Sequence, residues 1–228
     1  MPIQSQNEPT FDQVRMLIYG QSGVGKTVFA STWPKPVFLD ADKGLLSVRR
    51  PVLRWEVNTW RDLQYGVAWL LKNRDQYETI IVDTVNEVQV CALEHAVQAY
   101  PSIRRPYDTV ASQSDYGKAL SDTQKFLRFL VAQPKNIVLI SHYEKLYEDR
   151  ARPLFIGKKT EEAYCGMMEV VGWLTIVERE NGTAMRRLFF DSTEAVTKDR
   201  TDTLPRYIDD PNYNKLLECW NTRKGQNG

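Results

Sequence analysis

The sequence predicts an α/β fold, a mainly parallel sheet flanked by helices with a hairpin near the C-terminus. Three observations predict it. Short, almost purely apolar runs alternate with stretches of helical spacing, the pattern of strands buried on both faces. The first apolar run, residues 14–19 (VRMLIY), opens directly into a glycine-rich turn and a helix-forming segment. Near the end, residues 170–191 read as two strands around Asn181-Gly182, a favoured two-residue turn with φ > 0 at both positions.

The elements follow in order. Residues 1–12 are polar and read as a loose lead-in, and 13–220 as one domain. Residues 26–33 form a helix that Pro34 stops. PVFLDAD at 36–42 is a second strand, ending in carboxylates. Residues 57–73 place Leu63, Val67, Leu70 and Leu71 on one helical face. ETIIVDT at 78–84 is a third strand, and 85–99 a helix. Residues 100–114, with Pro101 and Pro106, read as a loop. Residues 115–132 carry Leu120, Phe126, Leu127 and Leu130 at helical spacing, and 136–142 (NIVLISH) is a fourth strand. Residues 143–160 read as a charged loop, and 221–228 (NTRKGQNG) as a frayed tail.

Composition excludes several classes. Apolar residues at 42% and charged residues at 26% exclude a disordered or fibrous chain. A formal charge of +1 excludes a histone-like polycation but leaves room for a local basic groove. No apolar run approaches the ~18 residues of a spanning helix, so no membrane is expected as a partner. The N-terminus shows no signal peptide, and Cys91, Cys165 and Cys219 lack metal-site spacing, so a cytoplasmic setting is expected.

The chemistry begins at GQSGVGKT, residues 20–27, which matches the phosphate-loop pattern in full and sits between a strand and a helix. Its glycines let successive N–H groups point into one cup at a helix N-terminus, where phosphate oxygens bind. Gly20, Gln21, Ser22, Gly23, Val24, Gly25, Lys26, Thr27 and Val28 are therefore the candidate nucleotide-binding residues. Lys26 is expected to reach the β and γ phosphates, and Thr27 to ligate Mg²⁺. Asp83 ends an apolar strand at the same sheet edge, placing it as the second metal residue. ATP and Mg²⁺ are the expected cofactors.

FLDADKGL at 38–45 resembles the segment of RecA-type ATPases in which an acid activates the attacking water. The resemblance places Asp42 in that role, although RecA itself carries Glu there. The part order from 14 to 205 is similar to a RecA-like core. His142, at the end of the fourth strand, matches the γ-phosphate sensor position, which is Gln in RecA. Lys198-Asp199-Arg200 resembles the K-x-R element of ring helicases, so Lys198 and Arg200 are expected to act on a neighbouring subunit's nucleotide. The chain resembles the small phage-encoded ATPases of AAA type grouped with Sak-type single-strand annealing proteins. That resemblance implies DNA-stimulated ATPase activity, single-stranded DNA binding, self-assembly into a ring or filament, and a part in phage recombination or annealing. A phage single-strand binding protein as partner and the host-cell cytoplasm as location come with it.

Basic residues that could contact DNA are Arg104 and Arg105, together with Lys145, Arg150, Arg152, Lys158 and Lys159. Tyr143, Tyr147 and Phe155 lie among the second group, and cations interleaved with aromatics suit single strands. Two other classes share the phosphate loop: a small-molecule kinase with an arginine-rich lid, and a nucleotide-dependent loading factor that does not turn over.

Overall fold

The computed structural model describes residues 13–99, 110–145 and 150–224. β1 (Arg15–Tyr19) leads through the phosphate loop into α1 (Lys26–Ser31). β2 (Pro36–Asp40) and β3 (Leu53–Glu56) precede α2 (Trp60–Lys72), β4 (Thr79–Asp83) and α3 (Val85–Ala99). After α4 (Gln113–Val131) come β5 (Asn136–Ser141), β6 (Tyr143–Glu144), β7 (Arg152–Pro153) and α5 (Lys158–Met167). β8 (Val170–Glu178), β9 (Ala184–Phe189), β10 (Lys198–Asp199), β11 (Tyr207–Asp209) and α6 (Tyr213–Lys224) complete the chain.

Nine of these strands form one sheet, ordered β11-β9-β8-β1-β5-β4-β2-β3, with β10 pairing the lower part of β8. The six strands from β8 to β3 run parallel, and the C-terminal wing is antiparallel. β5 thus lies between the strand that feeds the phosphate loop and the strand that ends in Asp83.

Alternation along β1 shows why the strands are apolar throughout. Leu17 and Tyr19 join the core under α2, α3 and α4, whereas Met16 and Ile18 join the core that α1 and α6 cover. Both faces are dry, so neither register position tolerates a polar side chain.

Helix starts are set by side-chain caps. Thr59 and Asp62 form a capping box that begins α2 at Trp60, three residues after the apolar periodicity starts. Ser112 and Asp115 do the same for α4, which therefore begins at Gln113 rather than at 115.

Four expectations need correction. The β8–β9 turn is not the two-residue form, because only Gly182 has positive φ, at 77°. The Glu178–Ala184 register leaves five residues to close, and Gly182 donates to the Arg179 carbonyl at 2.9 Å, with Arg179 N–H donating to Thr183 at 2.8 Å. That is a three-residue loop with its glycine in the left-handed position. Residues 143–160 are not simply a loop, since β6 and β7 pair there and α5 begins at Lys158. β3, a short half-exposed edge strand, was not anticipated. Nor was α6, which runs through Lys224 into the expected tail, its Leu216 and Trp220 buried beside Trp33.

Trp220 is fully buried, with its ring centroid 6.1 Å from that of Trp33. Trp220→Ala is therefore expected to destabilise the protein by about 3–5 kcal/mol. Chemical denaturation checks this, and a loss below about 1 kcal/mol would mean that α6 docks only loosely.

Candidate functional site

The C-terminal edge of the parallel strands gathers the predicted chemistry. β1 ends at Tyr19, and Gly20 follows so close to β8 that an added Cβ would overlap the Leu174 carbonyl oxygen. Gly25, with φ 97°, closes the loop and enters α1. A cavity of about 250 Å³ opens here, bordered by Ser22, Gly23, Gly25, Lys26, Thr27 and Val28 of the loop and helix, by Arg186, which rests on that loop, and by Asp42, Asp83, Thr84 and His142.

Lys26 is buried, and its ammonium donates to the carbonyls of Gly20 at 2.8 Å and Gln21 at 2.9 Å. Burial pushes its pKa down, and the Asp83 and Asp42 charges oppose that. Thr27 Oγ1 donates to Asp83 Oδ2 at 2.7 Å, tying the head of α1 to the end of β4. Asp40, Asp42 and Asp83 crowd the same edge, with β2 and β4 in register at Asp40 and Asp83. Burial raises the Asp83 pKa to about 6; the Thr27 hydrogen bond pulls it down, and the Asp42 and Asp40 charges push it up again.

These residues fit a divalent cation. Asp40 is fully buried, Arg54 holds its Oδ2 at 2.7 Å, and its Oδ1 has no partner. With Asp40 paired to Arg54, Asp42 and Asp83 are the carboxylates left facing the buried Lys26 ammonium, so the edge can accept a further cation. Thr27 and Asp83 would hold the metal.

The backbone N–H groups of Ala41 and Asp42 both donate to the Asp83 carbonyl, at 2.7 and 2.9 Å, which fixes where the exposed Asp42 carboxylate stands. Asp42, Glu87 and His142 come from three elements, yet their ligating atoms all lie within 4.8 Å of one another. Two of them were predicted. Glu87, in the first turn of α3, was not, because the sequence does not tell that the ends of β2 and β5, with Asp42 and His142, lie on either side of β4, from which α3 starts. His142 is held through its backbone N–H, which donates to Asn86 Oδ1 at 2.8 Å.

Other predicted residues lie elsewhere. Lys198 pairs with Val171, and Val171 with Leu17, so it sits about three residues, or roughly 10 Å, below the phosphate loop. Its ammonium donates to the carbonyls of Cys165, Gly166 and Met168 at 2.7, 3.2 and 2.6 Å, capping α5. Within its own chain Lys198 is a helix cap rather than a phosphate ligand. Arg200 is exposed, its side chain making no hydrogen bond or ion pair among the described residues.

Of the basic residues expected to meet DNA, Arg104 and Arg105 lie outside the described residues, as does the side chain of Lys158. Arg150 donates to the carbonyls of Ser192 and Ala195, and Arg152 pairs with Glu144 at 3.1 Å, so both hold the chain together. Lys145 and Lys159 are exposed. Tyr143 and Phe155 pack against the core, Phe155 with its ring 4.7 Å from that of Tyr164, so these aromatics are not displayed for stacking. Tyr147 lies outside the described residues.

The sequence profile described as an AAA domain matches residues 12–201. The chain belongs to the AAA domain family. Its match spans the phosphate loop, Asp42, Asp83, His142 and Arg200 alike. Over 87 residues this AAA domain is 32% identical to the SPbeta prophage-derived protein YorG of Bacillus subtilis, covering 36% of the chain and 27% of that protein's length. Two solved structures are similar to it. A KaiC-like protein of Pyrococcus horikoshii is 12% identical, with TM-score 0.42, over 77% of this chain and 78% of that one. The flagellar accessory protein FlaH of Methanocaldococcus jannaschii is 9% identical, with TM-score 0.42, over 86% and 84%. No helix among the described residues is long and apolar enough to cross a membrane.

The Asp83 environment predicts a pH dependence for the metal-free protein. A carboxyl whose pKa is raised from 3.8 to about 6 on folding binds the proton more tightly when folded. Its contribution to stability is full below pH ~4 and is lost as pH rises through about 6. Thermal unfolding from acid to neutral pH should show this fall in the parent and not in Asp83→Asn. Identical slopes in the two proteins would mean that Asp83 is not desolvated.

Proposed function

We propose that this AAA-domain protein binds ATP with Mg²⁺, hydrolyses it, and couples hydrolysis to single-stranded DNA in an assembly of its own copies. The observation that carries the reading is the Thr27–Asp83 hydrogen bond at 2.7 Å beside the buried Lys26, all at the mouth of one cavity. On nucleotide binding, the Lys26 ammonium exchanges the Gly20 and Gln21 carbonyls for phosphate oxygens. Thr27 and Asp83 would hold the metal, which would supply positive charge to the phosphates. Asp42 accepts the proton of the attacking water, and His142, 4.8 Å or less from it, donates to the γ-phosphate.

Position supports the trans role of Arg200. It follows β10, on the side of the sheet away from its own phosphate loop, and it is exposed without a partner among the described residues. An arginine there meets a triphosphate only across a contact between copies. Lys198 would reach the neighbour only by leaving its cap on α5, so Arg200 carries the greater share of the proposal.

Arg200→Ala is expected to bind ATP almost normally and to hydrolyse it roughly a thousandfold more slowly. Lys26→Ala should be inactive for lack of phosphate binding. When the two are mixed, some interfaces pair an intact loop with an intact Arg200, and activity should partly return. If co-assembly is demonstrated by mass measurement and no activity returns, Arg200 does not act in trans.

The DNA reading draws on exposed Lys145 and Lys159 and on the prophage-derived relative. A part in phage recombination or annealing, with a phage single-strand binding protein as partner, belongs to the same reading. Affinity for single-stranded DNA should fall by orders of magnitude between about 50 and 200 mM salt, with little sequence preference. Changing Lys145 and Lys159 to Ala together should flatten the plot of log affinity against log salt by about two phosphate contacts. An unchanged slope would remove this surface from the DNA site.

A further inference from the structure

The hairpin β8–β9 carries three arginines, and their partners differ. Arg179 pairs with Asp210 at 2.6 Å. Arg187 grips Asp209 with both Nε and Nη2, at 2.6 and 2.9 Å, and lies 3.8 Å over the Tyr207 ring. Arg186 has no carboxylate within ion-pair distance among the described residues. It is instead laid against the phosphate loop: Nε donates to the Val24 carbonyl at 2.9 Å, and the guanidinium borders the same cavity as Lys26 and Thr27.

Gly25 makes room for it. A Cβ built on Gly25 would lie 2.6 Å from Arg186 Nε and 3.2 Å from Cδ. The glycine therefore serves its positive φ and also the approach of the guanidinium. Backbone pairing secures the arginine: its N–H donates to Asp210 Oδ1 at 3.3 Å, and its carbonyl accepts from Asp210 N–H at 2.7 Å. An always-charged group, fixed through Nε and with no acid partner among the described residues, is placed at the glycine-rich loop whose N–H groups suit anions.

We propose that Arg186 is a nucleotide-binding residue contributed by the same chain, its Nη groups, which pair with no carboxylate among the described residues, taking up phosphate charge. The inference rests on the reading of residues 20–27 as an ATP site, and it adds the hairpin as that site's second wall. Its interaction is with the phosphates that ATP and ADP share, because the contact point at Val24–Gly25 lies on the loop body rather than across the cavity with Asp42 and His142. Binding of both nucleotides therefore depends on it.

Two substitutions separate charge from bracing. Arg186→Lys keeps the charge without the planar fork. Arg186→Gln keeps a donor for the Val24 carbonyl without the charge. Equilibrium binding of fluorescent ATP and ADP, with Mg²⁺, is measured for the parent, Arg186→Ala, both of these variants and Lys26→Ala. Arg186→Ala and Arg186→Gln are expected to lose about 10–100-fold in affinity for both nucleotides, the range for charge-assisted hydrogen bonds, with Arg186→Lys losing less. Parent-like binding by Arg186→Ala would overturn the proposal. So would recovery by Arg186→Gln and not by Arg186→Lys, which would make the residue a brace. If the parent binds no better than Lys26→Ala, the ATP reading itself falls, and the proposal falls with it.

Discussion

Unbalanced negative charge at the C-terminal edge of the sheet governs this molecule. Asp40 and Asp83 stand in register on adjacent strands, Asp42 follows one turn later, and the only ammonium buried among them is Lys26. Such a cluster is tolerated because each acid has a separate relief. Asp40 has Arg54, Asp42 has solvent, and Asp83 has the Thr27 hydroxyl and a raised pKa. Under the proposed reading a divalent cation held by Thr27 and Asp83 would be a stronger relief than any of these, so metal affinity and the ionisation of Asp83 would be linked.

The sheet order explains how that edge is assembled. β5 separates β1 from β4, so the phosphate loop and Asp83 are not on neighbouring strands. The gap is bridged above the strand ends by the Thr27–Asp83 bond, and below by the β1–β5–β4 ladders, which hold the ends level. His142 then leaves the intervening strand at the middle of the site, which is why it meets Asp42 and Glu87 rather than its sequence neighbours.

How legible all this was in the sequence follows from where each constraint resides. The phosphate loop and five of the six parallel strands are local: glycines, a strand before, a helix after, apolar runs buried on both faces. They could be read directly. The two capping boxes are local too, and they explain the shifted starts of α2 and α4. β3 was missed because an edge strand buries little, and α6 because its apolar periodicity is weak even though it buries Leu216 and Trp220. Arg186 was missed because β9 register alone aims it at Val24, and three arginines in one hairpin look alike in a string of letters. Lys198 illustrates the opposite failure. Its K-x-R setting suggested an anion, while α5, itself unanticipated, supplies three carbonyls within reach of its ammonium.

In the proposed reading the two cationic ends of the C-terminal wing would therefore face different ligands. β9 presents Arg186 upward to its own phosphate loop, while β10 leads to Arg200 at the lower end of β8. Both lie on one continuous piece of sheet, hydrogen-bonded through β8 to the strand that feeds the phosphate loop. A shift of this wing on nucleotide binding at Arg186 would move Arg200 with it, because β8 pairs with β9 above and β10 below. If copies stack so that Arg200 meets the next nucleotide, β8 would be the strand that links one site to the next. Coupling of this kind needs no change of fold, only a strand that cannot bend independently at its two ends.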